Sequence, residues 1–251
     1  MAKGNPGADS SSPVTDQLIS TATQQFGQAP TYWGRYFTSP TTGGEVEYRH
    51  GTESPILASH NIRLLPVARQ TTHVNGSESQ GVSDAEANVS DFLDTFGQAY
   101  LAAQGGQFLL FLDVEGNPSA GSPSLSLEYY LGWAKTLVSY SQSQTDNAVT
   151  ILPCVYGTHF DTQTWENVSA ANAQGATCNG AWIARYYYSG CDQPDWDDSI
   201  IIPAVTMPCE VLLWQYQENC CGGTIDCNQT NPGVDTQTLL MNKLLLPPSG
   251  S

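Results

Sequence analysis

The feature that most constrains this chain is a series of short apolar runs at 32–37, 62–68, 108–115, 150–157, 180–186 and 211–216, with amphipathic stretches between them. Several runs are nearly continuous in apolar residues, as expected of parallel strands buried on both faces. The intervening stretches read as helices. Ser12-Pro13 sets an N-cap and a first helical proline ahead of 14–26. Ser83-Asp84-Ala85-Glu86 reads as a capping box, followed by a stripe of Val89, Phe92, Leu93, Phe96 and Tyr100. Further helices are expected at 125–140 and 236–245. Alternating strands and helices imply βα units with right-handed crossovers. Seven or eight such strands in 251 residues predict an α/β chain folded as a single-domain (β/α)8 barrel of the TIM type. A doubly wound open sheet is the rival, but it calls for a glycine-rich loop where this chain reads ADSSSPV. The expected limits are a leading tail over 1–6, the barrel over 7–246 and a closing tail over 247–251. The stretches 71–83 and 117–124 read as loops at one end of the barrel.

Charge narrows the partners. Asp and Glu number 24 against 8 Lys and Arg, a net charge of −16. Such a surface argues against nucleic acid or an anionic bilayer, both of which need a basic face. No apolar run approaches the roughly 18 to 20 residues that span a membrane, so no membrane insertion is expected. The opening MAKGNPGADSSSP lacks the apolar core of a secretory signal. All seven cysteines fall in the C-terminal half, which suggests disulfides plus a free thiol in an oxidising compartment. Cys220, Cys221 and Cys227 lack CxxC spacing and a nearby histidine, and the acidic loop 192–198 lacks calcium-loop spacing. No metal or other cofactor is expected.

The run FLLFLDVEG at 108–116 ends in two carboxylates one residue apart. Side chains at i and i+2 of a strand share a face. Leu109, Phe111, Asp113 and Glu115 therefore point one way, and Leu110, Leu112 and Val114 the other. Charges under helices would suffer heavy desolvation, so the barrel interior is the home for the odd-numbered set. The two acids then lie at the C-terminal mouth, where such barrels keep their active sites. Burial and mutual repulsion raise the pKa of at least one of them. One protonated and one ionised carboxyl is the pair that glycosidic cleavage needs. The competing reading is that these acids cap a loop or pair with Arg35, Arg69 or Arg185. Tyr156, Trp182, Tyr186, Trp214 and Tyr216 sit at strand ends, where their rings either line a sugar cleft or pack in the core. Arg185 either holds Asp113 or a substrate carboxylate, or makes a structural pair.

Five separated pieces resemble family-25 glycoside hydrolases, the barrel lysozymes. They are G-A-D at 7–9, FLDVE at 111–115, LPCVYG at 152–157, AWIARY at 181–186 and LLWQYQENCCGGTIDCN at 212–228. The N-terminal third, with GADSSSPVTDQLIS and YWGRYF, is similar to a related group of glycoside-hydrolase-like barrels of largely unassigned activity. The resemblance implies a lysozyme-like hydrolase of a β-1,4 cell-wall glycan, with peptidoglycan as the polysaccharide partner. It also implies a monomer that is secreted or directed to the cell wall. Glu115 matches the general acid, Asp113 its partner carboxylate, and Asp9 and Asp226 the acids of the first and last strands, so the resemblance implies a catalytic set of four acids converging on one mouth. SSSP near the start and the cysteine-rich 209–227 depart from the family pattern. The alternative is a non-catalytic glycan-binding or structural barrel that keeps only the fold.

Overall fold

The computed structural model describes residues 2–37, 47–117 and 121–250, so part of the expected 117–124 loop lies outside the described residues. Its elements in order are β1 (Pro6–Asp9), α1 (Asp16–Phe26), β2 (Tyr32–Phe37), α2 (His50–Ser59), β3 (Arg63–Ala68), α3 (Glu78–Phe96), α4 (Gln98–Ala103) and β4 (Gln107–Val114). There follow α5 (Leu127–Gln144), β5 (Thr150–Thr158), α6 (Thr162–Asn172), β6 (Ala181–Ala184), α7 (Asp198–Ile201), β7 (Val211–Asn219), the short turn α8 (Cys220–Gly223), β8 (Ile225–Thr230) and α9 (Val234–Lys243). The strands close in sequence order into one eight-stranded barrel, the expected architecture.

One strand departs from the all-parallel pattern. β8 runs antiparallel to both β7 and β1. A tight turn through Asn219 and Cys221, both with positive φ, replaces the last crossover helix. That reversal puts the start of β8, rather than its end, at the mouth of the barrel.

The six apolar runs all become strands, while β1 and β8 are not among them. β1 is only four residues long and β8 reads IDCNQT, so neither carries an apolar signature. β1 also begins at Pro6, inside the expected leading tail. Helix starts differ as well. α1 is capped by Thr15, whose side chain accepts from Leu18 N–H, rather than by Ser12. Ser83 to Glu86 lie inside α3, whose cap is Ser77. Asp84 is instead buried, accepting from Tyr129 Oη at 2.8 Å and Gln80 Nε2 at 2.9 Å, and lying 2.9 Å from His73 Nδ1. The apolar stripe also breaks at Gly97, which separates Tyr100 onto α4.

The alternation along β4 sorts the core into two layers. Leu109 and Phe111 join Tyr32, Leu65, Val67, Cys154, Trp182 and Leu213 inside the barrel. Leu110, Leu112 and Val114 pack outward among residues of the helical layer such as Phe92, Trp133 and Trp165. Leu240 and Leu244 of the α9 region join the inner layer from below, where Arg63 Nη1 donates to the Leu244 carbonyl at 2.8 Å. Between α3 and α5, a Cβ on Gly81 would lie 2.1 Å from the Tyr129 carbonyl oxygen, so only glycine permits that approach.

Cys191 and Cys220 form a disulfide, and the other five cysteines are free. Cys178 Sγ and Cys209 Sγ stand 2.9 Å apart. Among the described residues no helix is long and apolar enough to cross a membrane.

Candidate active site

Four carboxylates reach one cleft at the mouth. Asp9 ends β1, and the antiparallel pairing sets it directly across from Asp226, the second residue of β8. Asp113 is the penultimate residue of β4, and Glu115 follows the strand end. Tyr36, Tyr156, Trp182 and Gln215 line the same cleft. Gly34 makes room for them. A Cβ there would lie 2.6 Å from that of Asp9 and 3.4 Å from the Trp182 ring.

The two acids of the opening pair occupy different surroundings. Asp113 is buried at 1% exposure, and Thr71 Oγ1 donates to its Oδ2 at 3.1 Å. Its Oδ1 is buried without a partner. Burial, then the Glu115 charge, push Asp113 up to about 8, against the opposing Thr71 hydrogen bond and the Arg69 charge. Glu115, expected as the last residue of the strand, lies past its end and is exposed. Asp113 therefore keeps its proton at neutral pH.

Asp9 and Asp226 form the opposite wall. Burial and the Asp226 charge raise Asp9 well above the usual carboxylate range, while hydrogen bonds from Asn228 and Gln215 oppose the shift. Both donors bond Asp9 Oδ2, Asn228 Nδ2 at 2.6 Å and Gln215 Nε2 at 3.0 Å. Both donors occupy the same oxygen, which leaves Oδ1 as the atom for any proton that Asp9 takes up. Burial raises Asp226 too, against a 2.7 Å hydrogen bond from Asn219 N–H.

These amides are held in register by groups that can only donate, or that donate here. Trp182 Nε1 donates to Asn228 Oδ1 at 3.0 Å, which turns the Asn228 amino group toward Asp9. Tyr156 Oη and Tyr186 Oη both donate to Gln215 Oε1, at 2.8 and 2.7 Å, which turns its amino group toward Asp9 as well. Three aromatic side chains thus orient one carboxylate through two amides.

Of the expected ring and cation contacts, Tyr156 and Trp182 line the cleft, and Tyr186 stands on its rim through Gln215. Trp214, Tyr216 and Arg185 do not. Gln215 faces inward on β7, so its neighbours Trp214 and Tyr216 face outward, buried in the helical layer. Arg185 follows the end of β6. Its guanidinium lies 4.3 Å from the Phe160 ring centre and 5.4 Å from that of Tyr187, not on Asp113. Arg35 is committed to Glu53 at 2.6 Å and to the Ser10 carbonyl, and Arg69 lies over Tyr36. Among the described residues no arginine forms an ion pair with any of the four acids. Sequence reasoning missed Gln215, Asn228, Thr71 and Tyr36. The first two carried a usable signal, since Gln215 alternates with two rings and Asn228 stands two residues from Asp226 on the same strand face.

The barrel superimposes on solved structures over nearly its whole length. A crystal structure of an uncharacterised B. stearothermophilus protein matches 96% of this chain and 100% of its own, with TM-score 0.68 at 18% identity. The muramidase from Acremonium alcalophilum matches 95% of this chain and 99% of its own, with TM-score 0.51 at 21% identity. A family 25 glycosyl hydrolase from Bacillus anthracis matches 93% and 91%, with TM-score 0.51 at 12% identity. The chain has a family-25 glycoside-hydrolase-like fold. At these identities the likeness is one of fold. No family model and no curated protein sequence matches the chain.

Proposed function

We propose that this chain is a lysozyme-like glycoside hydrolase that cleaves a β-1,4-linked cell-wall glycan of the peptidoglycan type, outside the cytoplasm and as a monomer. The observation that carries the reading is the Asp113–Glu115 pair, a buried protonated carboxyl with an unpartnered oxygen beside an exposed carboxyl at the mouth. Two coupled acids share one proton across two microstates. The resting microstate holds it on Asp113. The working microstate holds it on Glu115, which delivers it to the leaving glycosidic oxygen as general acid. Asp113 is then ionised beneath the anomeric centre, and the positive charge developing there stabilises a carboxylate that its buried site otherwise disfavours. Asp9 and Asp226, with the amides of Gln215 and Asn228, are placed to hold sugar hydroxyls on the facing wall. Tyr156, Trp182 and Tyr186 contact the sugar rings. No step calls for a cofactor.

The test is release of reducing ends from purified peptidoglycan by wild type and Glu115→Gln between pH 4 and 8. Turnover by wild type that is lost in the variant supports the assignment. Glycan capture with no release by wild type would establish a non-catalytic binding barrel instead.

A further inference from the structure

We infer that a ridge of Phe160, Arg185 and Tyr187 beside the cleft is a second glycan subsite that reads carboxylate-bearing sugars of the polymer. The inference rests on the glycosidase reading and names how its substrate extends beyond the acids. Large apolar side chains left in water mark interaction surfaces when they cluster. Here Phe160 is 71%, Tyr187 56%, Tyr188 44% and Tyr186 40% exposed, all in the two loops that leave β5 and β6 at the mouth.

The ridge is built rather than loose. His159 bonds the Ile201 carbonyl through Nδ1 at 2.9 Å and packs edge-on against Phe160. Arg185 N–H donates to the Gln215 carbonyl at 3.0 Å, and the Arg185 carbonyl accepts from Trp214 Nε1 at 2.8 Å. The cation is thereby fixed to the backbone of the residue whose side chain holds Asp9. Tyr186 completes the connection, since its hydroxyl reaches into the cleft while its chain neighbours form the ridge. A glycan strand leaving the acids over Tyr186 meets Phe160 and Tyr187 next.

The chemistry selects the ligand. Flat rings accept the C–H face of a pyranose without reading its substituents. Arg185 adds the reading. Among the described residues it carries no ion pair, and its Nε is shielded from solvent without a hydrogen-bond partner there. A guanidinium set among rings offers a planar fork for a carboxylate. In a chain of net charge −16, that fork is a local positive point on an acidic mouth. It favours a glycan whose sugars bear carboxylate groups over a neutral one with the same backbone.

The experiment compares capture by insoluble peptidoglycan and by chitin, a neutral β-1,4 polymer, in the Glu115→Gln background. Phe160→Ala combined with Tyr187→Ala is expected to weaken peptidoglycan capture about tenfold, two exposed ring contacts' worth. Arg185→Gln is expected to weaken capture by peptidoglycan and leave chitin capture unchanged. In the active chain, the ratio of polymer to trisaccharide turnover should fall with the ring variants. Unfolding midpoints equal to wild type exclude a folding defect. Undiminished capture by the ring variants, in a chain that binds and cleaves peptidoglycan, overturns the ridge and leaves the glycosidase standing. Absence of both binding and turnover in wild type removes the glycosidase reading and the ridge with it.

Discussion

Replacing Asp113 with Asn should stabilise the fold near neutral pH, and the size of the gain follows from where the carboxyl sits. An aspartate is ordinarily half-protonated near pH 3.9, whereas burial and the Glu115 charge push Asp113 up to about 8. The folded chain therefore keeps a proton that the unfolded chain gives up. The contribution is fully present below about pH 4 and is lost as pH rises toward about 8, at about 1.4 kcal/mol per pH unit. By pH 7 the loss is about 4 kcal/mol relative to acid conditions. Asparagine keeps the shape and can still accept from Thr71, but it does not titrate. Its stability relative to wild type should thus grow by roughly 3 kcal/mol between pH 5 and pH 7. Urea unfolding followed by the fluorescence of the buried tryptophans measures this directly. Glu115→Gln serves as a control. Removing the neighbouring charge should lower the Asp113 proton affinity and flatten the slope. Parallel pH curves for wild type and Asp113→Asn would refute the argument, because they would mean that Asp113 ionises alike in both states.

Four further outcomes are expected. If the Asp113–Glu115 pair supplies the catalytic proton, kcat/KM should fall as pH rises through about 8, and Asp113→Asn should displace that limb, because the proton is then held by Glu115 without its buried partner. Gln215→Leu removes a donor that lowers the Asp9 pKa and strips two tyrosine hydroxyls of their acceptor. The Asp9 titration followed by NMR should move further up, with a stability loss of about 1 to 3 kcal/mol. Reducing Cys191–Cys220, which spans 29 residues, should cost about 3.5 kcal/mol in thermal unfolding, and an unchanged midpoint would show that the bond adds nothing. Adding oxidised glutathione should then join Cys178 to Cys209, releasing two reduced glutathiones per bond, and a non-reducing peptide map detects the linked pair.

Much of the barrel is legible along the chain because strand and helix periods are local properties. The alternation of Leu109, Phe111 and Asp113 against Leu110, Leu112 and Val114 needs no partner to be read, and it places Asp113 inside the mouth correctly. That Asp9 and Asp226 join the central pair was implied only by the family resemblance, carried by motifs spread from residue 7 to residue 228. β1 and β8 escaped the apolar pattern because a short strand that lines a polar site has little apolar side chain to show. The direction of β8 was decided by a turn of left-handed residues at Asn219 and Cys221, and that direction alone brings Asp226 beside Asp9. Tertiary packing also turned Trp214 and Tyr216 outward, sent Arg185 to Phe160 and brought in Thr71. Above all, it decided which acid of the pair loses its water. Two carboxylates one residue apart look equivalent in sequence, but Asp113 is buried in a cleft it shares with side chains from strands distant in sequence, while Glu115, past the end of β4, lines the same cleft exposed. Proton affinity depends on those distant groups through burial and charge, and neither is a property of neighbouring residues along the chain.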